Sequence, residues 1–170
     1  MKKILFSICL ILSIFILTGC DSGATTSGES SGESKTKELA TYKVNEDIFI
    51  KTDDGEYRLK ITGIKETKKR NEYDDTECDR AFIISYEYEN ISLEDDLYIS
   101  SMDFKAYDKD NNSLETYEAI DYKSTDSVST GRKSSGEMVW ALNNDNNYIE
   151  LEFYNNMWDS SPDCKIILEW

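Results

Sequence analysis

The sequence contains no histidine in its 170 residues. Histidine is the usual general base beside a serine or cysteine nucleophile, so neither a Ser-His-Asp nor a Cys-His catalytic system can form. Histidine is also the most common protein ligand of transition metals, so the usual histidine-containing zinc and iron sites are excluded. From the sequence we therefore assign no catalytic residue, no cofactor and no metal ligand.

Basic residues and proline are also scarce. Lysine and arginine number 19 against 34 aspartates and glutamates, which gives a formal net charge of −15 at pH 7. Because affinity for nucleic acid comes mainly from basic residues that displace counterions, this balance predicts no nucleic-acid partner. The single proline, Pro162, lies between two predicted strands, where the missing N–H group is tolerated.

The first twenty residues are typical of an export signal. Met1-Lys2-Lys3 precedes an apolar run, 4–17, that is shorter than the ~20 residues needed to span a bilayer. This run leads into Leu17-Thr18-Gly19-Cys20, which resembles the bacterial lipoprotein cleavage motif. The resemblance implies cleavage before Cys20, lipid attachment to its sulfur, and an extracytoplasmic chain that is anchored to the cell membrane. The alternative is an uncleaved membrane anchor with an incidental cysteine.

A linker is predicted between this anchor and a folded domain. Residues 21–36 are almost all small or polar and show no apolar periodicity, so they cannot bury a core. We therefore predict a lipoprotein signal peptide over 1–19, the lipidated cysteine and a flexible linker over 20–41, and one domain over 42–170. Without residues 1–19 the chain keeps 17 basic and 34 acidic side chains, a net charge of −17.

The predicted domain alternates apolar and polar residues, a pattern typical of half-buried strands. The clearest case is 81–90, where Phe82, Ile84 and Tyr86 share one face. The only candidate helix is a weak turn near 114–122. Repeated short strands without helices indicate an all-β, two-sheet sandwich of about seven strands. The predicted strands lie near residues 44–50, 57–62, 81–90, 98–107, 138–142, 149–153 and 164–170.

Four segments of the domain together resemble a known family. Their order is similar to the telokin-like, immunoglobulin-fold domain-of-unknown-function family 4352 of Gram-positive lipoproteins. The resemblance implies an immunoglobulin-like β-sandwich and carries over no catalytic residue. One departure is that a proline usual in that family is missing before Gly131. The four segments are Ala81–Ser92, Ser101–Asp108, Gly131–Trp140 and the pair Tyr154 and Trp158 ahead of the closing strand.

Two of the four cysteines remain to be explained. Cys9 lies in the predicted signal peptide and Cys20 is the predicted lipidation site, which leaves Cys78 and Cys164 in the domain. An even pair in an exported domain favours a Cys78–Cys164 disulfide, which would add roughly 4 kcal/mol of stability by restricting the unfolded chain. The alternative is a pair of free thiols.

Three acidic segments are candidates for weak Ca²⁺ binding. They are 72–79, 94–96 and 108–112. Segment 108–112 begins like an EF-hand loop but has Ser113 where that loop needs glycine and Ala119 where it needs glutamate. Solvated loops and a hairpin turn explain these segments better, and a weak extracellular Ca²⁺ site remains as the alternative.

Aromatic residues make up 12% of the chain. Most of them occupy strand positions that are expected to face the core, but four tyrosines are predicted in turns or loops. Exposed loop tyrosines are common in surfaces that bind proteins or sugars, although partial burial at the margin of a sheet is an equal alternative. These tyrosines are Tyr73, Tyr117, Tyr122 and Tyr148.

The sequence favours a non-catalytic, lipid-anchored extracytoplasmic module that binds a protein or an envelope component. A carbohydrate-binding module is the first alternative, and it requires aromatic side chains together on one exposed sheet face; Trp140, Trp158 and Trp170 are its obvious candidates. A hydrolase that uses carboxylates and a metal is the second, and it requires converging acids with raised pKa values.

Overall fold

The computed structural model describes residues 39–119 and 121–170. The predicted signal peptide, the Cys20 lipidation site and nearly all of the predicted linker lie outside these residues. No helix in the described part of the chain is long and apolar enough to cross a bilayer. The elements are β1 (Ala40–Lys43), β2 (Ile48–Thr52), β3 (Gly55–Thr67), β4 (Arg80–Asn90), a 3-10 helix (Ser101–Asp103), β5 (Phe104–Tyr107), β6 (Lys133–Leu142), β7 (Tyr148–Phe153) and β8 (Cys164–Glu169).

The eight strands form two four-stranded sheets, with the orders β1-β8-β7-β5 and β2-β3-β4-β6. Strand β1 runs parallel to β8, and the other pairs are antiparallel. Strands β4 and β6 are neighbours in one sheet and β5, β7 and β8 in the other, which are the places of strands B and E and of C, F and G in an immunoglobulin domain. The predicted two-sheet β-sandwich is confirmed, and β1 begins two residues before the predicted start of the domain.

The core lies between the sheets and follows the period of two in the strands. In β4 the side chains of Phe82, Ile84, Tyr86 and Tyr88 point inward and are almost fully buried. Such burial stabilises the fold by about 25 cal/mol for each Å² of apolar surface removed from water. The Tyr86 hydroxyl donates a 3.1 Å hydrogen bond to the carbonyl of Ile99, so this phenol is buried without losing its polar partner.

The predicted strand over 98–107 is shorter in the structure. Ser100 begins a capping box: its Oγ accepts a hydrogen bond from Met102 N, and the Asp103 carboxylate accepts one from Ser100 N. This arrangement satisfies the free N–H groups of a helical turn and so favours the 3-10 helix over an extended chain. Only Phe104–Tyr107 then form a strand, and Tyr98 and Met102 are left exposed.

The predicted helical turn near 114–122 is absent from the described residues. This segment instead runs along the edge of β6, where Tyr117 N donates to Val139 O and Ala141 N donates to Glu115 O, both at 2.9 Å. It lies beside β6 as strand D lies beside strand E in an immunoglobulin domain. Its apolar side chains Tyr117 and Ala119 cover part of the outer face of β4 and β6.

The excess negative charge of the domain lies in its loops. Within residues 39–170, the strands contain nine basic and eight acidic side chains, whereas the remaining residues contain six basic and 22 acidic ones. The sheet faces are therefore close to neutral, and the ends of the sandwich are acidic. Charge at the loops can steer a partner toward the ends.

Candidate functional site

The loops divide between two ends of the sandwich. One end, which we call the quartet end after four exposed side chains described below, comprises the β2–β3 turn (53–54), the β4–β5 connection (91–103) and the β7–β8 loop (154–163). The segment 128–132 before β6 is hydrogen-bonded to the β4–β5 connection and lies at the same end. The opposite end comprises the connections 68–79, 108–112 and 143–147. Each end is thus assembled from segments that are far apart in sequence, as in other sandwiches whose loops carry the binding site.

Five large apolar side chains are exposed at the quartet end; Ile91 is the least exposed of them, and we call the other four the exposed quartet. Their exposed fractions are 86% for Trp158, 68% for Met102, 55% for Tyr98 and 44% for Met157. Single exposed apolar residues are ordinary, but large ones collected in two adjoining loops are typical of interaction surfaces. Tryptophan, tyrosine and methionine are also the residue types enriched in such surfaces.

Local hydrogen bonds hold these loops in place. Beside Tyr98, residues Leu97 and Val128 exchange two backbone hydrogen bonds of 2.8 and 2.9 Å. Beside Trp158, the Asn156 side chain accepts a 3.1 Å hydrogen bond from Trp158 N and so fixes a turn. The exposed side chains are therefore presented by ordered backbone, which lowers the entropy lost when a partner binds.

The two loops of the quartet are also joined to each other and to the sheet. Tyr154 N donates a 2.9 Å hydrogen bond to Asp103 O, which links the β7–β8 loop to the 3-10 helix. The Tyr57 hydroxyl donates a 2.6 Å hydrogen bond to Asn155 Oδ1, and Asn155 N donates to Asp163 Oδ2 at 2.7 Å. These bonds make the quartet end one continuous surface.

A shallow cleft of about 290 Å³ lies within this surface. Tyr57, Tyr98 and Asn155 line it together with carboxylates that include Asp54 and Asp95. The β2–β3 turn, the β4–β5 connection and the β7–β8 loop contain eight acidic residues and no lysine or arginine, and the segment 128–132 adds Arg132. The surface thus combines exposed apolar groups with a strongly negative rim.

Asn90 organises the connection that carries Tyr98, and sequence reasoning did not identify it. Its side chain is fully buried, donates to Asp95 O at 2.9 Å and accepts from Leu93 N at 2.9 Å. Its backbone also accepts a 2.7 Å hydrogen bond from Gly131 N. A polar residue at an inward position of the clearest strand is the signal that could have revealed this role.

The four tyrosines predicted in loops differ in burial. Tyr73 and Tyr122 are exposed, and Tyr148 is half-buried at the margin of its sheet. Tyr117 is buried instead, because its ring packs on the outer face of β4 and β6 and its hydroxyl accepts a 2.6 Å hydrogen bond from Asn71 N. It is therefore a structural residue.

The three tryptophans do not form a sugar-binding platform. Trp140 is buried in the core. Trp158 precedes β8 at the quartet end, whereas Trp170 follows β8 at the opposite end, where its N–H lies near Asn147 O. The carbohydrate-binding alternative thus cannot rest on these residues.

The acidic segments do not assemble a cation site in the described part of the chain, where no three acidic or cysteine side chains are grouped to hold a metal. Asp108 borders an acidic cleft of about 420 Å³, but its carboxylate already accepts hydrogen bonds from Asp110 N, Asn112 N and Asn144 Nδ2. Burial raises the pKa of Asp108, and these hydrogen bonds outweigh burial and hold it below its usual value.

The structure differs from the predicted Cys78–Cys164 disulfide, since both are free thiols. Cys164 faces the core from β8 and pairs with Phe153 at the quartet end. Cys78 lies at the opposite end and packs on the outer face of β4 and β6. The two thiols therefore lie on opposite faces of the β2-β3-β4-β6 sheet and at opposite ends of the sandwich, whereas a disulfide needs Cα atoms within about 7 Å.

The carboxyl groups give no support to the hydrolase alternative. Among the described carboxyls with a resolved shift, Asp103 is the only one with a raised pKa, and the cause is burial. Its carboxylate serves in the capping box with Ser100. A pair of converging acids with raised pKa values is therefore not found in the described residues.

Two solved structures share the fold. The secreted protein MPT63 of Mycobacterium tuberculosis superposes with a TM-score of 0.59 at 13% identity, over 79% of this chain and 100% of that chain. A Bacillus subtilis protein described as a lipoprotein, ycdA, superposes with a TM-score of 0.56 at 17% identity, over 73% of this chain and 39% of that chain. No curated protein sequence matches the chain.

A family model matches residues 28–155 and carries the description "Domain of unknown function (DUF5067)". The resemblance to family 4352 is thus not confirmed at the level of the family, although the β-sandwich that it implied is present. The match spans most of the chain, including seven of the eight strands. The chain therefore belongs to the DUF5067 family.

Proposed function

We propose that this protein is a non-catalytic, lipid-anchored extracytoplasmic module that binds a protein partner through the exposed quartet. The observation that carries the proposal is the collection of Tyr98, Met102, Met157 and Trp158 at one ordered end of a sandwich whose other large apolar side chains are mostly buried. Removing these side chains from water would favour association by about 25 cal/mol per Å².

The charge of the quartet end specifies the partner further. The β2–β3 turn, the β4–β5 connection and the β7–β8 loop contain eight acidic residues, and the adjoining segment 128–132 adds one basic residue, Arg132. The end is therefore strongly negative, so the partner presents a basic rim around an apolar pocket. Trp158 is the natural central anchor because it is the largest and most exposed member of the quartet. The acidic rim raises the rate of encounter and makes it sensitive to salt.

The proposed location rests on the lipoprotein cleavage motif that ends at Cys20. The two structural neighbours, one described as secreted and one as a lipoprotein, support an extracytoplasmic setting. Lipid attachment through two acyl chains would hold the chain stably at the membrane. A Cys20→Ala variant is therefore expected in the culture medium, and its retention in the membrane fraction would contradict the anchor.

The binding role is tested by co-purification from crosslinked membranes. Proteins recovered with the full-length chain are compared quantitatively with those recovered by Trp158→Ala and by Tyr73→Ala, a matched control because Tyr73 is also 86% exposed but lies at the opposite end. A true partner is lost by about tenfold or more with Trp158→Ala and retained with Tyr73→Ala. Equal recovery by the two variants would contradict the proposal.

A further inference from the structure

The outer face of the β1-β8-β7-β5 sheet has a chemistry distinct from the acidic ends. Its outward-pointing charged residues balance, with three lysines and three glutamates on strands β1, β5, β7 and β8. It is thus a neutral surface on a chain whose net charge is −15. The charged residues are Lys43, Lys105, Lys165, Glu150, Glu152 and Glu169.

An ordered polar cluster lies at the centre of this face. Lys165 Nζ forms ion pairs with both Glu150 and Glu152. Tyr148 OH donates a 3.1 Å hydrogen bond to the second oxygen of Glu150, and Tyr154 OH donates a 2.9 Å hydrogen bond to the second oxygen of Glu152. The carboxylates are therefore fixed in position before any ligand arrives, which reduces the entropic cost of binding.

Two tyrosine rings flank Glu150 on the same face. Tyr107 lies directly opposite Glu150 in the β5–β7 register, and Tyr148 precedes Glu150 by two residues, so the two tyrosines occupy diagonal positions on neighbouring strands, and such positions lie about 7–8 Å apart along the backbone. Both are half-buried and point away from the core. The tyrosines of the other sheet, Tyr57, Tyr86 and Tyr88, are buried between the sheets.

The geometry points to a binding site for a neutral glycan of pyranose sugars on this face. A pyranose ring offers an apolar C–H face, which packs on an aromatic ring, and hydroxyl groups, which hydrogen-bond to carboxylates and ammonium groups. Tyr107 and Tyr148 supply the first contact, and Glu150, Glu152 and Lys165 supply the second. A basic protein would favour the acidic ends, and an anionic polymer would be repelled by the net charge of the chain.

The site is tested on the full chain in detergent micelles. Cellotetraose, maltotetraose and the tetramer of N-acetylglucosamine are titrated in turn while NMR shifts are followed, and calorimetry gives the Kd. We expect at least one probe to bind, with shifts confined to β5, β7 and β8. Tyr107→Ala and Tyr148→Ala should weaken binding about tenfold or more, whereas Tyr148→Phe, which keeps the ring, should retain most of it.

Trp158→Ala serves as the matched control, because it removes an exposed ring at the quartet end and should leave sugar binding unchanged. Loss of partner recovery with unchanged sugar binding in that variant separates the two sites, so failure of one proposal does not imply failure of the other. The inference is overturned if none of the three probes binds at millimolar concentration. It is also overturned if the folded Tyr107→Ala and Tyr148→Ala variants bind as tightly as the unaltered chain.

Discussion

The side-chain amide of Asn144 donates a 2.9 Å hydrogen bond to the buried carboxylate of Asp108, which joins the β6–β7 turn to the turn after β5. The same carboxylate accepts from Asp110 N, Asn112 N and Asn112 Nδ2. Asp108 therefore organises the opposite end of the sandwich. Its oxygen atoms are occupied by protein donors, which explains why a segment that begins like a calcium loop folds as a turn.

Replacing Asp108 should destabilise the domain strongly. In Asp108→Ala the donors of Asp110, Asn112 and Asn144 lose a charged acceptor at a buried position, at a cost of about 3 kcal/mol in the free energy of unfolding. Urea titration measures this cost. Asp110→Ala is the control, because Asp110 is exposed and should change stability by no more than about 0.5 kcal/mol. Equal stability of the two variants would refute the structural role of Asp108.

The pKa values of Asp103 and Asp108 should move in opposite directions. Burial raises the pKa of Asp103, whereas the pKa of Asp108 is lowered because hydrogen bonds outweigh its burial. Asp108 then stabilises the fold above the pKa of an unfolded aspartate, near 3.9, and this contribution is lost as the pH falls through its folded pKa. Asp103 stabilises the fold below the pKa of an unfolded aspartate, and this contribution is lost as the pH rises through the raised folded pKa of Asp103. Carboxyl-carbon NMR titration measures both pKa values. A pKa of Asp108 above that of Asp103 would contradict this account.

Gly55 should not tolerate a side chain. Its φ is +139°, and an added Cβ would lie 2.6 Å from the carbonyl oxygen of Ser92, a backbone atom that cannot move aside easily. Gly55→Ala is therefore expected to lower the free energy of unfolding by about 2 kcal/mol or more. Gly63→Ala is the matched control in the same strand, since nothing lies within 4 Å of its added Cβ. Thermal melts in which both variants behave alike would show that the β2–β3 turn is misplaced.

The two domain cysteines should differ sharply in reactivity. Burial raises the pKa of Cys164 to about 12 and also raises that of the half-buried Cys78. In a chain shortened to residues 21–170, which contains only these two cysteines, a maleimide should label Cys78 about 100-fold faster than Cys164. Both should react in denaturant. Recovery of a Cys78–Cys164 disulfide after oxidation without loss of the native fold would contradict the placement of the two thiols.

Much of the sandwich could be predicted because its strands alternate strictly. The period of two at Phe82, Ile84 and Tyr86 identified the inward face of β4, and all three side chains are buried. The length of the strand predicted near 98–107 was overestimated because Tyr98 and Met102 also fit an alternating pattern. The capping box of Ser100 and Asp103 overrides that pattern, and its S-x-x-D spacing is the sequence signal for it.

The candidate sites depend on contacts that no local pattern contains. The Tyr57–Asn155 hydrogen bond joins residues 98 positions apart, and the Asp108–Asn144 bond joins residues 36 apart. Tyr117 occupies a polar segment, yet it is buried because that segment lies along β6. The disulfide prediction differed from the structure for the same reason, since counting cysteines does not reveal which face or end each one occupies.

Photo-crosslinking in intact cells tests the exposed quartet most directly as the binding surface. A benzophenone amino acid is placed at Trp158 in one variant and at Tyr73, equally exposed at the opposite end, in the other. Our account predicts one discrete protein adduct from position 158, weakened when Asp95 and Asp96 are both replaced by asparagine, and no such adduct from position 73. The same adduct from both positions, or none from position 158, would contradict it.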